Sequence, residues 1–433
     1  GTYGTQKYDA GFSGSSGALD YSLGLSRQTS TGFNARPIAG QNPDLDGYTS
    51  ESINARVGYQ LNKAHHLEVT ALSNDMNSQY DASLNKDDRA LHALQVLGLN
   101  WKAKWSDFYS TKLSVSDTRV RYETTPSPYL SITHLNGYLF QNEFRQGAHL
   151  ATAALERKVD QLENGTINRD RSQDALALGY GWTSRQHTVQ LNVRHDQDSE
   201  FGGQDTGSAA YAYALTPQWR ASASLGTAFR APTLFQRFSV YGVSTLQPES
   251  SRNRELGLRY ASGASSLGVV AYRSEVANLI TFSTPGPCAS STGCYANTAQ
   301  AEYSGLTFSA SHRMNNINLQ ASLDLQDPRD TITGNQLARR ARQDAYVPAA
   351  NRTGAWLVGA GLQLSGERFD NAANTTVLAG YSVLNLHAST RLDKDWTLLA
   401  RLDNLADTSY QLASGYATPG RSFYLGVKWA PQP

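Results

Sequence analysis

This 433-residue chain carries four aspartates in three short polar stretches, and these are the side chains best suited to bind a ligand. Asp44 and Asp46 lie in GQNPDLDGY, Asp81 lies in NSQYDAS and Asp87 lies in NKDDRAL. Carboxylate oxygens are preferred ligands of hard cations such as Ca²⁺, which gathers roughly 6–8 oxygens. The first stretch is not an EF-hand, because Ile53 stands where that loop needs its bidentate glutamate. These acids therefore either hold a cation together or are ordinary solvated loop residues.

The sequence lacks the residue patterns that are typical of catalysis. It contains no His-Glu-x-x-His pair for zinc, no Gly-Lys-Ser/Thr loop for phosphate and no Gly-x-Ser-x-Gly nucleophile elbow. Its nine histidines are scattered along the chain. We therefore predict that the protein is not an enzyme.

Two cysteines lie close together in the polar stretch GPCASSTGC. Cys288 and Cys294 are the only cysteines of the chain. A small disulfide loop is the favoured interpretation, and a pair of free surface thiols is the alternative. A disulfide here indicates a location outside the cytoplasm, because the cytoplasm keeps thiols reduced.

The elements that must position these residues are indicated by hydrophobic alternation with a period of two. In INARVGYQL the apolar residues Ile53, Val57 and Tyr59 alternate with polar ones, and LDYSLGL, TVQLNVRHD, YSVLNLHASTRL and WTLLARLDNL show the same pattern. Each such segment reads as a strand with one apolar face. Roughly 20 to 22 segments of this kind are joined alternately by short turns and long polar loops, which is the layout of an outer-membrane barrel.

The second face of these strands favours a membrane barrel over a soluble β protein. Arg, Gln, Asn, Asp, Ser and Gly recur there, which suits a wide aqueous lumen. Tryptophans also gather near the ends of the strand-like segments, as interfacial girdles do: Trp101, Trp105, Trp182, Trp219, Trp396 and Trp429. We predict an all-β fold, a large antiparallel transmembrane barrel of about 22 strands with long extracellular loops.

The composition agrees with one large β fold, and it argues against nucleic-acid binding and against a membrane-spanning helix. Thirty-six Gly and 23 Tyr accompany only 2 Met. The net charge is +1, and no basic stripe suits a nucleic acid. No apolar run reaches the roughly 20 residues of a membrane-spanning helix. We expect residues 1–433 to form a single barrel domain.

The stretch LGTAFRAPTLFQRF carries the first family resemblance. Residues 224–260 resemble the mid-barrel segment of TonB-dependent outer-membrane receptors, in which a strand ends in Phe-Arg-Ala-Pro and a Leu-x-Pro-Glu-x-Ser element begins the next. Pro232 has no N–H for a strand ladder, so the strand should end there. Pro248 and Glu249 should mark the return. The stretch RLDNLADTSYQLASGYATPGRSFYLGVKW resembles the end of the same family.

Within that family, the chain most resembles the cobalamin (vitamin B12) receptors. GTYGTQKYDAGFSG resembles their first barrel hairpin, ITGNQLARRARQ resembles a late barrel element, and the three acidic stretches resemble their calcium-binding loops. The resemblance implies a calcium cofactor held by Asp44, Asp46, Asp81 and Asp87, with Asp88 as a substitute for Asp87. Asn34 occupies the place of a further calcium aspartate, which keeps an oxygen but removes a charge.

The resemblance also implies a function and partners. The expected protein is a Gram-negative outer-membrane receptor that binds cobalamin or another corrinoid, with Tyr80 as a candidate stacking residue, and takes it up with the TonB energy-coupling complex. We expect the plug domain through which that complex acts to lie outside this chain. Further expected partners are outer-membrane lipid and lipopolysaccharide, and a monomer is the default.

Two alternatives remain open on sequence alone. The receptor could serve a siderophore or haem, or the barrel could act as a passive, porin-like diffusion pore. The basic cluster of Arg339, Arg340 and Arg342 could contact an acidic plug face or lipopolysaccharide phosphates, or could be a solvated surface.

Overall fold

A computed structural model describes residues 1–82, 84, 86–283, 286–297 and 300–431. The first strands are β1 (Gln6–Ser16), β2 (Leu19–Phe33), β3 (Asp46–Asn62), β4 (His65–Tyr80), β5 (Asp88–Lys104), β6 (Tyr109–Thr125), β7 (Tyr129–Gln146), β8 (His149–Asn164), β9 (Ile167–Thr183), β10 (His187–Asp198), β11 (Gly202–Ala214) and β12 (Trp219–Arg230). A five-residue helix follows, α1 (Leu234–Phe238). No helix among the described residues has the length and apolarity to cross a membrane.

The second half of the chain continues the series of strands. They are β13 (Glu249–Ser262), β14 (Ser265–Ala277), β15 (Ile280–Ser283), β16 (Cys294–Asn297), β17 (Ala301–Met314), β18 (Ile317–Asp330), β19 (Gln343–Thr353), β20 (Trp356–Ser365), β21 (Arg368–Phe369), β22 (Val377–Leu378), β23 (Tyr381–Arg391), β24 (Trp396–Asp403) and β25 (Ser422–Trp429).

Twenty-one of the described strands form one antiparallel sheet, in which each strand pairs with its neighbour along the chain. The hairpins β15–β16 and β21–β22 stand apart from this sheet, within loops. The two ends of the sheet meet near residue 2. The Thr2 N–H donates to the Phe423 carbonyl at 2.9 Å, and the Phe423 N–H donates to Thr2 Oγ1 at 2.8 Å. The prediction of a large antiparallel barrel is confirmed.

The alternation predicted from the sequence separates two faces of the sheet. On β3, Ile53, Val57 and Tyr59 are exposed on the outer, apolar face. The opposite face carries Arg56, which pairs with Asp20 on β2 and, at 2.7 Å, with Glu68 on β4. Because successive side chains of a strand point to opposite faces, one register builds an apolar exterior and a charged lumen.

The two ends of the barrel differ in the length of their connections. One end has short turns such as residues 63–64 and 263–264, and we call it the short-turn end. The other has connections that include residues 34–45, 231–248 and 404–421, and we call it the long-loop end. All seven tryptophans lie at or near the short-turn end: Trp101, Trp105, Trp182, Trp219, Trp356, Trp396 and Trp429. The Trp girdle predicted from the sequence therefore lies at the short-turn end of the barrel only.

The Phe-Arg-Ala-Pro stretch ends β12 and opens the loop of residues 231–248. Arg230, the last residue of β12, forms a bidentate pair with Glu249, the first residue of β13, at 2.6 and 2.7 Å. Glu249 Oε1 also accepts the Ile280 N–H at 2.6 Å. The two motifs noted in the sequence are therefore halves of one clamp at the base of this loop, and the strand boundaries at Arg230 and Glu249 agree with those predicted.

Candidate functional site

The site is formed by two neighbouring loops at the long-loop end. Residues 34–45 connect β2 to β3, and residues 81–87 connect β4 to β5. Because β3 and β4 pair from Tyr48 and Ser78 to Asn62 and His65, the adjoining ends of these loops lie side by side. β3 has 17 residues, more than the roughly 9–11 that a strand needs to cross a bilayer. The first residues of β3 therefore stand clear of the membrane.

Three of the predicted aspartates come together there. One carboxylate oxygen each from Asp44, Asp46 and Asp81 lies within 4.8 Å of the others. Asp44 is exposed, Asp46 is half-buried and Asp81 is buried. We call these three residues the acidic cluster. Their spacing allows a single cation to contact all three carboxylates.

Asp81 has an oxygen that lacks a protein partner. The residue is only 8% exposed, and its buried Oδ2 accepts no hydrogen bond from any described residue. A buried carboxylate oxygen without a donor is costly, so such an atom suits a bound cation. Arg36 lies on the other side of Asp81, where its Nη1 donates to the Asp81 carbonyl at 3.0 Å rather than to the carboxylate.

The electrostatics of the acidic cluster favour a bound positive charge. Burial raises the pKa of Asp81, and the nearby charges of Asp46 and Asp44 raise that pKa further. Burial also raises the pKa of Asp46, although the Ala35 N–H, which donates to Asp46 Oδ2 at 2.7 Å, opposes this rise. Like charges held together out of water repel one another, and a divalent cation would remove that repulsion.

The remaining predicted ligands lie outside the acidic cluster. Asp87 Oδ1 accepts a hydrogen bond from Gln79, and Arg89 pairs with its Oδ2 at 2.7 Å. These contacts lower the pKa of Asp87. Asp88 is buried, and its Oδ2 accepts the Ala82 N–H at 3.2 Å. Asn34 Oδ1 accepts the Arg36 N–H at 3.0 Å, which closes a local turn. None of these four contacts involves Asp44, Asp46 or Asp81.

Tyr80 lies at the end of β4, at the edge of a larger group of aromatic rings. Its side chain lies near Thr124 and Tyr122 of β6. From Tyr122 the ring contacts run on through Tyr129, Tyr241, Phe282, Tyr295 and Phe235. The sequence alone does not indicate this group, because its members come from the strands β6 and β7 and from two loops farther along the chain.

The loop of residues 231–248 folds against the wall of the barrel several strands away. Its helix α1 contacts β8 and β9, and Tyr241 contacts Tyr129 on β7. Arg171 on β9 donates to the Pro232 carbonyl at 2.7 Å and pairs with Asp160 at 2.6 Å. A Thr233–Gln236 capping box begins the helix. The loop is therefore anchored next to the aromatic group.

The hairpin β15–β16 belongs to the same end of the barrel. Cys288 and Cys294 form a disulfide in it, with their Cα atoms 5.7 Å apart. Asn297 donates to the Gln247 carbonyl at 3.0 Å and accepts the Gln247 N–H at 2.8 Å. The hairpin is thereby tied to the loop of residues 231–248. The basic cluster lies in the next loop, where Arg339 pairs with Asp370 at 2.7 Å and Arg342 with Asp327 at 3.4 Å.

Comparison with known proteins identifies a family and several relatives. The family model described as TonB dependent receptor-like, beta-barrel matches residues 1–405. The chain is 28% identical to the Vitamin B12 transporter BtuB of Vibrio cholerae serotype O1, over 96% of this chain and 69% of that protein. It is 25% identical to the Vitamin B12 transporter BtuB of Photobacterium profundum, over 93% of this chain and 68% of that protein.

Solved structures share the fold at lower sequence identity. The siderophore receptor PirA from Acinetobacter baumannii superposes with a TM-score of 0.85 at 14% identity, over 99% of this chain and 78% of that one. The Copper transporter OprC superposes with a TM-score of 0.83 at 16% identity, over 99% of this chain and 78% of that one. At such identities the likeness concerns the fold alone.

Proposed function

This chain belongs to the TonB-dependent receptor β-barrel family, and we propose that it binds cobalamin or a related corrinoid at its long-loop end with the help of calcium. The substrate assignment rests on the similarity to vitamin B12 transporters over more than nine tenths of the chain. The acidic cluster, with its unpartnered Asp81 oxygen, supports the cation.

Membership of the family fixes the setting in which this function operates. The protein is a barrel of the Gram-negative outer membrane, and its family consists of receptors and transporters rather than enzymes. The long-loop end faces outward in barrels of this type, whereas the short turns face the periplasm. The acidic cluster and the aromatic group therefore face the side from which a nutrient arrives.

The proposed calcium site fits the residues present. Asp44, Asp46 and Asp81 supply three carboxylates, which are hard oxygen ligands of the kind that Ca²⁺ takes. A bound ion would supply the positive charge that lets these carboxylates stay ionised side by side. An ion held by these residues would link the loop before the β3–β4 hairpin to the loop after it, because Asp44 and Asp46 come from the first and Asp81 from the second.

The proposed substrate surface is the one next to the acidic cluster. Tyr80 directly precedes Asp81 at the end of β4, and in this proposal the ordering of the two acidic loops by calcium would orient Tyr80 toward the substrate. Aromatic faces bury large areas at low entropic cost, which suits a broad, partly apolar ligand such as a corrinoid. In this proposal, the TonB complex then supplies the energy for passage through the lumen.

Equilibrium binding of four ligands tests the substrate. The purified receptor is incubated with cyanocobalamin, a ferric catecholate siderophore, haem and Cu²⁺, and the bound fraction is measured after rapid filtration. Retention of cyanocobalamin alone is the expected result. Retention of the siderophore or haem in its place would overturn the cobalamin assignment, and a large steady single-channel current from the purified chain would support a passive pore instead.

A further inference from the structure

The loop of residues 231–248 and the hairpin β15–β16 are joined into one structure, which we call the two-loop unit. Asn297, at the end of β16, is the hub of this unit. Its Nδ2 donates to the Gln247 carbonyl at 3.0 Å and to the Asn278 carbonyl at 2.7 Å, and its Oδ1 accepts the Gln247 N–H at 2.8 Å. One side chain therefore fastens the hairpin both to the loop and to the residue that follows β14.

A disulfide closes the hairpin of the two-loop unit. β15 and β16 have four residues each, and a two-stranded hairpin of that length is marginally stable by itself. Cys294, the first residue of β16, is 1% exposed and is bonded to Cys288. A covalent cross-link restricts the unfolded chain and so favours the folded hairpin. The disulfide therefore supplies order that the short strands cannot supply.

The two-loop unit carries four rings of the aromatic group. Phe235 and Tyr241 come from the loop, whereas Phe282 and Tyr295 come from β15 and β16. Phe282 stands edge-on to Tyr241 and to Tyr295, with ring centroids 5.9 and 5.3 Å apart. The Tyr295 N–H also donates to the Tyr241 carbonyl at 3.0 Å. The position of Phe282 is therefore set jointly by the loop and by the hairpin.

The aromatic group lies on the lumen side of the barrel wall. Ser116 of β6 stands in the same cross-strand row as Arg56, which faces the lumen. Tyr122 is six residues further along β6, so it faces the lumen as well. The ring contacts run from Tyr122 to Tyr129 and on to Tyr241, with centroids 6.1 and 6.5 Å apart. The two-loop unit therefore meets the lumen wall and not the lipid face.

Phe282 is the most exposed ring of the aromatic group. It is 51% exposed, whereas the other rings of the group are half-buried. A ring that is already held in one position loses little entropy when a ligand covers it, and it offers a large apolar contact area. The two-loop unit thus fixes an apolar surface in place and leaves it accessible.

We propose that Phe282 contacts the substrate and helps to determine specificity, and that Asn297 and the disulfide are positioning elements for it. The inference rests on the function proposed above, and it assigns to Phe282 the apolar part of a ring-shaped ligand such as a corrinoid. The acidic cluster belongs to other loops. Substrate affinity and calcium affinity should therefore respond to different substitutions.

Calorimetric titration of cyanocobalamin in the presence of calcium tests the contact. Phe282→Ala should weaken binding at least about tenfold, because it removes a preorganised apolar surface. Phe282→Tyr keeps the ring and should stay within about threefold of the unchanged receptor. Phe423→Ala is the matched control, since Phe423 is also 51% exposed but lies at the start of β25, on the outer face. It should bind as the unchanged receptor does.

Two further variants test the positioning role. Asn297→Asp loses both donated hydrogen bonds, and C288S/C294S opens the hairpin, so each should weaken cyanocobalamin binding about fivefold or more. Hydrogen exchange should become faster in residues 231–248 and stay unchanged in residues 34–45. The control Asn371→Asp loses a donated bond to Thr375 Oγ1 in another loop and should change neither.

A double-mutant cycle separates positioning from general stability. If Asn297 acts through Phe282, Asn297→Asp should cost little further affinity once Phe282 is already alanine. Calcium affinity should stay the same in every variant. Additive losses, or a parallel loss of calcium affinity, would overturn the positioning role.

The titration also distinguishes this inference from the function on which it rests. Equal cyanocobalamin binding by Phe282→Ala and the unchanged receptor would overturn the inference and leave the proposed function standing. Absence of cyanocobalamin binding by the unchanged receptor would overturn the proposed function, and the contact at Phe282 with it.

Discussion

Asp81 is the residue on which the proposed calcium site depends most. Its unpartnered, buried Oδ2 lies beside Asp44 and Asp46, so Asp81→Asn removes both a ligand and a charge. We expect calcium affinity to fall at least about tenfold, since even the loss of an outer contact of a metal site costs 10-fold or more. Isothermal titration of Ca²⁺ into the receptor measures the change.

Asp87→Asn provides the matched control for that substitution. Its carboxylate already pairs with Arg89 and accepts a hydrogen bond from Gln79. We expect its loss to change the calcium affinity by less than about threefold, which is under 1 kcal/mol. Equal losses in the two variants would show that the acidic cluster is not the binding site.

The sequence indicated Asp44, Asp46, Asp81 and Asp87 together, through the family resemblance and through their places in two neighbouring loops. The structure brings the first three together, whereas Asp87 pairs with Arg89. The pairing of Asp87 could not be foreseen, since it depends on Arg89 and Gln79 sharing one face at the top of β4 and β5. Arg36 was also missed, because its contact is with a backbone carbonyl 45 residues away.

The raised pKa values of Asp46 and Asp81 predict how calcium binding responds to acid. Protonation of these carboxylates starts at a higher pH than for an ordinary aspartate, and a proton competes with the ion. Calcium affinity should therefore be full above the raised pKa values and should fall as the pH drops through them. Titrations at neutral pH and at progressively lower pH check this, and Asp81→Asn should flatten the dependence.

The metal-free receptor should respond to acid in the opposite sense at this site. A carboxyl group whose folded-state pKa is raised above its unfolded value destabilises the fold while it is ionised. That cost is present above the folded-state pKa and disappears as the pH falls through it. In the presence of chelator, mild acid should therefore stabilise the two acidic loops. Slower hydrogen exchange of residues 34–45 would detect this.

At the scale of elements, the loop of residues 231–248 depends on one buried arginine. Arg171 holds the Pro232 carbonyl, and its side chain, 8% exposed, pairs with Asp160 and lies 3.6 Å from the fully buried Asp198. Arg171→Gln leaves these acids without their cation. We expect a loss of about 3 kcal/mol, as for other broken buried pairs, together with faster hydrogen exchange across residues 231–248.

An exposed arginine on the neighbouring strand is the control for this prediction. Arg157→Gln on β8 removes a pair with Asp174 in which both side chains are more than half exposed. We expect it to cost less than about 1 kcal/mol and to leave exchange in the loop unchanged. Similar behaviour of the two variants would contradict the anchoring role of Arg171.

The sequence predicted where this loop begins and ends but not where it goes. Pro232 ends the strand for local reasons, because it has no N–H to donate. The inward course depends on contacts between Pro232 and Arg171, which are 61 residues apart, and between Tyr241 and Tyr129. No periodicity within residues 231–248 could indicate such partners.

At the scale of the whole molecule, the two faces of the sheet should tolerate charge very differently. Leu323 and Ser322 are adjacent on β18, so their side chains point to the lipid face and the lumen respectively. We expect Leu323→Arg to destabilise the barrel by about 2–4 kcal/mol in lipid. Ser322→Arg should cost far less, since the lumen is polar. Urea unfolding in lipid vesicles compares the two, and equal costs would contradict the assigned faces.

The barrel architecture was the feature that the sequence predicted best. Apolar and polar residues alternate along each strand because one face meets lipid and the other meets the aqueous lumen. The alternation predicted about 22 strands, and the described residues form 21 strands in one sheet.

Calorimetric titration of cyanocobalamin into the purified receptor, first with calcium and then with chelator, is the most direct test of calcium-assisted cobalamin binding. We expect tight binding that weakens when calcium is removed, and weaker binding by Asp81→Asn even with calcium present. Absence of binding under both conditions would contradict the cobalamin assignment. Binding of equal strength with calcium and with chelator would contradict the role of the acidic cluster.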